Sequence, residues 1–430
     1  MLFVGGGLGA EEPNDVQQQL RLLLQQNQSL QEQLRKQQIM IDSLTSKMGE
    51  IQSNQTSRSR ELESSESAAK PSASTPKDSG GFNLGKVNIS GEGSVGILTT
   101  GSEGKYPHTQ FRLNEARLFV EAPIWNDVYF YSELDMATPE EQDVQLRLGE
   151  IYLDVENVSQ LWGREGTLNV RAGRMYVPYG EEYLSRYAID NPLISRSLTD
   201  LWGVNAGLEF YGRLGKFSYV VAAENGGISD TQDFESDKSV AGRLGYDPTR
   251  WLHVSVSGMR TGDLSVSGDY MSAMWFGNGF FRSIGSTQTT TFHANLVEGD
   301  VDVSLPRGHV KAFGGYIRYD DNDPTANNGR DVYYYSVEGM HDLTRKLYAG
   351  ARFSQILAPG GFPLTGYGDF GDYFLNTLST ELWRLSLGVG YRWSPNLVLK
   401  AEYTFERGKD LGGDSRKHED FVGAEAAFRF

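Results

Sequence analysis

The sequence predicts an all-β chain: a 16-stranded antiparallel transmembrane β-barrel preceded by an N-terminal α-helical coiled coil. Three observations carry this. Beyond residue 82, apolar and polar residues alternate at period two in sixteen stretches. The connections between those stretches alternate short and long. The last stretch ends on Phe430, with Val422, Ala424, Ala426, Phe428 and Phe430 on one face and Gly423, Glu425 and Arg429 on the other.

Composition allows this and excludes alternatives. The chain has 430 residues, 50 Gly, 22 Tyr, 21 Phe and no Cys. Glycine and aromatics suit close-packed barrel strands with interfacial girdles. Without cysteine there is neither disulfide nor thiolate–metal chemistry. No run of eighteen apolar residues is present, so no helix is expected to span a bilayer. A net charge of −16 argues against nucleic acid as a partner.

In chain order, residues 1–10 ("MLFVGGGLGA") read as a signal-peptide remnant without a basic start. Residues 11–52 read as a coiled coil. Leu20, Asn27, Leu34, Ile41 and Met48 take the a positions. Val16, Leu23, Leu30, Gln37, Leu44 and Ile51 take d, and nine of the eleven are apolar. Residues 53–82 are rich in Ser, Lys, Glu, Pro and Gly and read as a flexible linker. Residues 83–430 form the barrel domain. Its expected strands are 83–99, 109–122, 127–137, 144–156, 165–176, 203–213, 216–226, 238–247, 250–262, 287–304, 308–320, 331–342, 345–357, 380–393, 396–407 and 419–430, with 287–304 the least regular.

The connections set the orientation. "PIWND", "GRLGK", "YDPTRW", "LPRGH", "DLTRK" and "WSPN" are tight turns, whereas 177–202, 227–237, 263–286, 321–330, 358–379 and 408–418 are long. Outer-membrane barrels place short turns in the periplasm and long loops outside. Trp125, Trp162, Trp251 and Trp393 stand at or beside the short turns, as one interfacial girdle. An even strand count puts both ends of the barrel in the periplasm. Phe430, with Phe428, then ends the closing strand toward lipid, and the pair resembles the signal read by bacterial barrel-assembly machinery. Lys400, Glu402, Arg384 and Arg392 alternate against Leu, Ala, Tyr, Phe and Trp. A water-filled lumen accommodates such a face without special pairing.

Sixteen strands enclose enough space for water. The expected constriction is "VPYGEEYLSRYAIDNPLISRSLTD", the third external loop, too long for a simple hairpin. The stretch 171–212 around it, with Gly-Arg at a strand end, Pro-x-Gly-Glu-Glu, Arg-Ser-Leu and Gly-Val-x-x-Gly, resembles the phosphate-selective porin O and P family. Sixteen-stranded porins are usually trimeric, and the resemblance implies lumen arginines and a basic constriction that binds phosphate. It assigns anion contact to Arg196, to Arg174 at the strand end, and by position to Arg186, with Glu181 and Glu182 beside them. Arg171 lies on the opposite pleat from Arg174, so both face the lumen only across a bulge.

Charge weighs against a dedicated phosphate site. Residues 1–80 carry ten acids and eight bases, which leaves −14 on the rest. Glu115, Glu121, Glu133, Asp135, Glu209 and Glu402 all fall on polar faces. The expectation is therefore a transverse field, with acids opposing arginines across the constriction.

The functional expectation is a water-filled channel for passive diffusion of small hydrophilic solutes, anions among them. It would lie in the outer membrane of a Gram-negative-type cell, with the coiled coil in the periplasm. Two alternatives stand beside it: a cation-preferring general porin, and an envelope anchor. A 36-residue helix reaches about 54 Å, which suits a tether to peptidoglycan or to other copies. No enzymatic motif and no metal-ligand spacing among the six histidines is present, so neither catalysis nor a cofactor is expected.

Overall fold

The computed structural model describes residues 82–84, 86–139, 144–226, 237–266, 280–281 and 288–430. The expected signal remnant, the coiled coil and all but the last residue of the linker lie outside the described residues.

Among the described residues, one sheet of nineteen strands closes on itself, and three of the nineteen are pieces of two or three residues. The sixteen long strands are β1 (Val87–Thr100), β2 (Gln110–Trp125), β3 (Val128–Ala137), β4 (Arg147–Val155), β5 (Asn169–Tyr176), β6 (Val204–Leu214), β7 (Phe217–Glu224), β8 (Ser239–Thr249), β9 (Leu252–Arg260), β10 (Thr291–Leu305), β11 (Gly308–Asp321), β12 (Arg330–Asp342), β13 (Leu347–Phe362), β14 (Ser379–Ser394), β15 (Leu397–Asp410) and β16 (Phe421–Arg429). Each pairs antiparallel with its neighbour, and β16 closes on β1 from Phe421↔Thr100 to Arg429↔Glu92. All the expected strands form, within a few residues of their expected ends.

The seam shows how the terminal aromatics act locally. The Phe430 amide donates to the Gly91 carbonyl at 2.9 Å, and the Gly91 amide donates back at 3.1 Å. A Cβ at Gly91 would lie 2.5 Å from the Phe430 ring, and one at Gly93 would lie 3.1 Å from the Phe428 ring. The glycines leave the space these rings occupy, as cross-strand aromatics covering glycine do elsewhere. Deleting Phe430 removes both hydrogen bonds and the ring cover. The expected cost is about 1–3 kcal/mol, read as a lower heating midpoint for the folded band on gels.

The outer face is apolar. Val422, Phe428 and Phe430 are 44%, 36% and 42% exposed, and Leu387, Val389, Leu399 and Tyr403 are exposed beside them. The four turn-side tryptophans also lie exposed at the short-turn end. A strand face of this kind matches hydrocarbon, not water.

The inner face departs from the simple expectation in two ways. First, many of its charges are paired. Arg117 meets Glu133 at 2.9 Å, Arg384 meets Glu406 at 2.6 Å, and Lys400 meets Glu425 at 3.5 Å, all with side chains almost wholly buried. Buried ions need such partners. Second, part of the inner wall is apolar. Phe292, Leu296, Ile317, Val332, Tyr334, Ile356 and Leu382 form one cluster with Val177, Tyr179, Phe280 and Phe281. This explains why 287–304 looks irregular in sequence although β10 is regularly paired over its whole length with β11. At its loop end, β10 turns Phe292, Ala294 and Leu296 inward and Asn295 outward, so the usual polarity is inverted there.

Candidate functional site

The connection from 177 to 203 leaves β5 and runs across the inside of the barrel. Val177 and Tyr179 anchor its start in the apolar cluster, and the Tyr179 and Tyr334 hydroxyls lie 2.8 Å apart. Gly180 turns with φ +65°, a region that favours glycine, and its amide donates to Ser257 Oγ on β9 at 3.1 Å. A short 3-10 turn, Glu182–Ser185, follows. The Glu182 carboxylate accepts the Ser197 amide at 2.9 Å and ties the two legs of the loop together. Burial pushes the Glu182 carboxyl above the ordinary range, and the nearby Asp200 charge raises it further.

The far tip is held more tightly. Glu402 on β15 accepts the Ser195 amide at 2.8 Å and the Ile194 amide, and it also bonds the Ser195 hydroxyl. Arg352 on β13 donates to the Ser195 carbonyl at 2.7 Å and to Asn191 Oδ1 at 2.8 Å, while its Nε meets Glu338 at 2.9 Å. Lys400 donates to the Leu193 carbonyl at 3.1 Å, and Arg384 to the Arg196 carbonyl at 3.1 Å. The Leu193 side chain lies over a notch on β13 and β14. A Cβ at Gly388 would sit 2.6 Å from it, and one at Gly350 would sit 3.4 Å away. Bulk at either glycine would push the tip away from the wall.

The residues expected to contact anions are placed as follows. Arg186 is buried, bonds Asp200 at 3.1 Å and lies 4.1 Å over the Trp202 ring. Arg196 pairs with Glu115 on β2, lies 3.5 Å from Asp200, and donates to the Arg186 carbonyl at 3.2 Å. These two share Asp200 and form one group. Arg171 stands apart on β5, between Asp154 at 3.0 Å and Glu209 at 2.8 Å. Arg174 shares its register row with Ile151 and Ala206, opposite the row of Arg171, and its Nε donates to the Gly149 carbonyl at 2.7 Å. No bulge brings both onto one face. Glu181 meets His253 at 2.9 Å and Arg243 at 3.5 Å.

The arrangement is therefore not the expected transverse field. Acids and arginines interleave in contact pairs instead of facing each other across a gap. Arg243, Arg352 and a set of tyrosines hold or line the site and were not singled out by sequence. Inward parity on β8 and β13 was the available signal for the two arginines.

Spaces flank the loop on two sides. The larger, about 750 Å³, lies between the loop and the walls of β4 to β8. Tyr152, Tyr176, Tyr183, Tyr187, Tyr211 and Tyr219 line it, all half-buried. The smaller, about 140 Å³, lies toward β10–β13 and is lined by Glu181, Glu182, Arg186, Arg196, Asp302, Lys311 and Arg352 among others. Among the described residues no group of three His, Asp or Glu is arranged to hold a metal.

No family model matches the chain, and no curated protein matches it. Solved structures share the fold. The outer membrane channel DcaP of Acinetobacter baumannii aligns with a TM-score of 0.54 at 14% identity, over 81% of this chain and 99% of that one. OmpT, an outer membrane protein of Vibrio cholerae, aligns at 0.53 and 13% identity over 82% and 100%. The anion-selective porin from Comamonas acidovorans aligns at 0.50 and 10% identity over 80% and 98%.

Proposed function

We propose that this chain is an outer-membrane porin, a channel for passive diffusion of small hydrophilic solutes narrowed by the loop at 177–203. The observation that carries the reading is the loop itself. It crosses a closed barrel, is bonded to wall strands as far apart as β9 and β15, and leaves a chamber of about 750 Å³ beside it. The apolar outer face supports placement in a bilayer, and the likeness to barrels described as porins and outer membrane channels supports the class.

The division of the chain follows the sequence: signal remnant 1–10, periplasmic coiled coil 11–52, linker 53–82 and porin domain 83–430. Phe428 and Phe430 serve barrel assembly. The working form is a homo-oligomer, and likeness to a trimer form of Vibrio cholerae OmpT (TM-score 0.52, 12% identity, 80% of this chain and 99% of that one) supports three copies. The coiled coil joins copies or meets peptidoglycan.

Selectivity is weak in this reading. The two spaces are lined by eight acids and seven bases, and Arg171, Arg186 and Arg196 each face a carboxylate already. An anion would have to displace those carboxylates, which favours a general channel over a phosphate-selective one.

Single-channel recording of the purified chain in planar bilayers tests this. The expected result is steady conductance with a reversal potential close to zero in a KCl gradient and no block by inorganic phosphate. Strong anion preference with phosphate block would replace it with the phosphate-selective function. Absence of conductance would make the envelope anchor the function.

A further inference from the structure

The space of about 140 Å³ between the loop and β10–β13 holds one base that differs from the rest. Arg186, Arg196, Lys311 and Arg352 line it. Arg186 meets Asp200 at 3.1 Å, Arg196 meets Glu115, and Arg352 meets Glu338. Lys311 has no such partner. Among the described residues its ammonium bonds the Ser185 hydroxyl on the loop at 3.2 Å, and no carboxylate oxygen lies within 4 Å of it. An ammonium carries three donors, and a hydroxyl accepts one of them without cancelling the charge.

The neighbours in register show why. Lys311 on β11 stands opposite Asp302 on β10 and Glu338 on β12. Glu338 is engaged by Arg352 Nε at 2.9 Å and by His309 at 2.9 Å. Asp302 has no Lys or Arg nitrogen within 4 Å among the described residues, and one of its carboxylate oxygens is buried without a hydrogen bond. His253, opposite Asp302 on β9, turns its ring nitrogens to Asp247 at 2.6 Å and Glu181 at 2.9 Å instead. Two further carboxylates of the lining, Glu182 and Asp300, accept the neutral hydroxyls of Ser197 and Ser255. Lys311 is the base of this lining left to offset such acids. A guanidinium in contact with a carboxylate presents little net field to a passing ion, whereas a lone charge presents its full one. The space has room for several waters, so a hydrated ion inside it comes close to Lys311.

We propose that Lys311 sets the ion preference of the channel. Its ammonium offsets the Asp302 carboxylate beside it and admits small anions to the side of the constriction facing β10–β13; without it, the channel prefers cations. This role rests on the channel reading.

The test uses the full chain in planar bilayers, with the reversal potential read in a KCl gradient at low salt. Lys311→Met, which keeps the length and removes the charge, is expected to raise the permeability ratio of potassium over chloride by about fivefold. Ser185→Ala, which removes the hydroxyl and keeps the charge, leaves it unchanged. The chain has no cysteine, so Lys311→Cys supplies a single thiol. A methanethiosulfonate bearing trimethylammonium is expected to return the ratio to that of the unsubstituted chain, and one bearing sulfonate to push it further toward potassium. Each variant is first checked for the folded band on unheated gels, and the thiol reagents carry the test where Lys311→Met does not fold. Steady conductance with an unchanged ratio in Lys311→Met, or with the same ratio after both reagents, overturns the proposal and leaves the channel standing. A shift in Ser185→Ala equal to that in Lys311→Met makes Lys311 a loop anchor and overturns it too. No conductance from the unsubstituted chain removes the channel and this role with it.

Discussion

Glu402→Ala is expected to raise the open-channel conductance by a factor of about two or more and to add rapid current fluctuations. One carboxylate on β15 holds the tip of the crossing loop through the Ile194 amide, the Ser195 amide at 2.8 Å and the Ser195 hydroxyl, and the Thr404 hydroxyl donates to it at 2.6 Å. Without it, two backbone donors at the loop tip lose their acceptor, at about 1–3 kcal/mol each. The tip regains those bonds most easily by moving into water. The remaining restraints at the tip include the Arg352 bonds to the Ser195 carbonyl and Asn191 Oδ1, the Lys400 bond to the Leu193 carbonyl, the Arg384 bond to the Arg196 carbonyl, the contact of the Ser195 and Ser386 hydroxyls, and Leu193 in its notch. None of them accepts the Ile194 and Ser195 amides, and Lys400 still has Glu425 at 3.5 Å to hold it. Glu402→Gln keeps one carbonyl acceptor and is expected to fall between wild type and Glu402→Ala. Conductance identical to wild type in Glu402→Ala would show that Arg352 and the notch suffice, and Leu193→Ala in the same background would then be the variant that frees the tip.

The barrel was legible in the sequence because its signal is local. Alternation along β14 and β15 needs only neighbours two residues apart, and short turns beside long loops need only counting. Where an inner row is apolar, as at Phe292, Ala294 and Leu296 on β10, the same signal weakens, because the polarity of the two faces is exchanged. The loop was legible through its length. Its partners were not. Arg196 finds Glu115, 81 positions away, and Ser195 finds Glu402, 207 positions away. Parity says that a side chain faces inward, but not which inward carboxylate lies opposite after the barrel closes. The family resemblance named arginines in the right loop, yet it could not show that each already has a carboxylate. The tyrosine-lined chamber depends on where the loop leaves space, which no single strand records.

Arg196→Ala separates the two roles this arginine can have. The guanidinium bonds Glu115 and lies 3.5 Å from Asp200. Removing it leaves two carboxylates facing the narrow part of the channel with one cation fewer between them. A unit charge at about 4 Å is worth about 1 kcal/mol in water, a factor of about five in local ion population before screening. The expected result is a shift of reversal potential toward cation preference at low KCl that shrinks as salt rises to about 1 M, where the Debye length is about 3 Å. Arg196→Lys keeps the charge and should shift little. A purely anchoring role would give another outcome: altered conductance and noise from a loosened loop, with selectivity unchanged at every salt concentration. Glu115→Gln added to Arg196→Ala resolves any mixture of the two. If charge sets the effect, the second substitution moves the reversal potential back toward wild type while the loop stays loosened, and the coupling between the two sites measures the pair. If anchoring sets it, the second substitution leaves the Ala188 amide, 2.9 Å from the Glu115 carboxylate, only an uncharged and weaker acceptor, and makes the fluctuations worse.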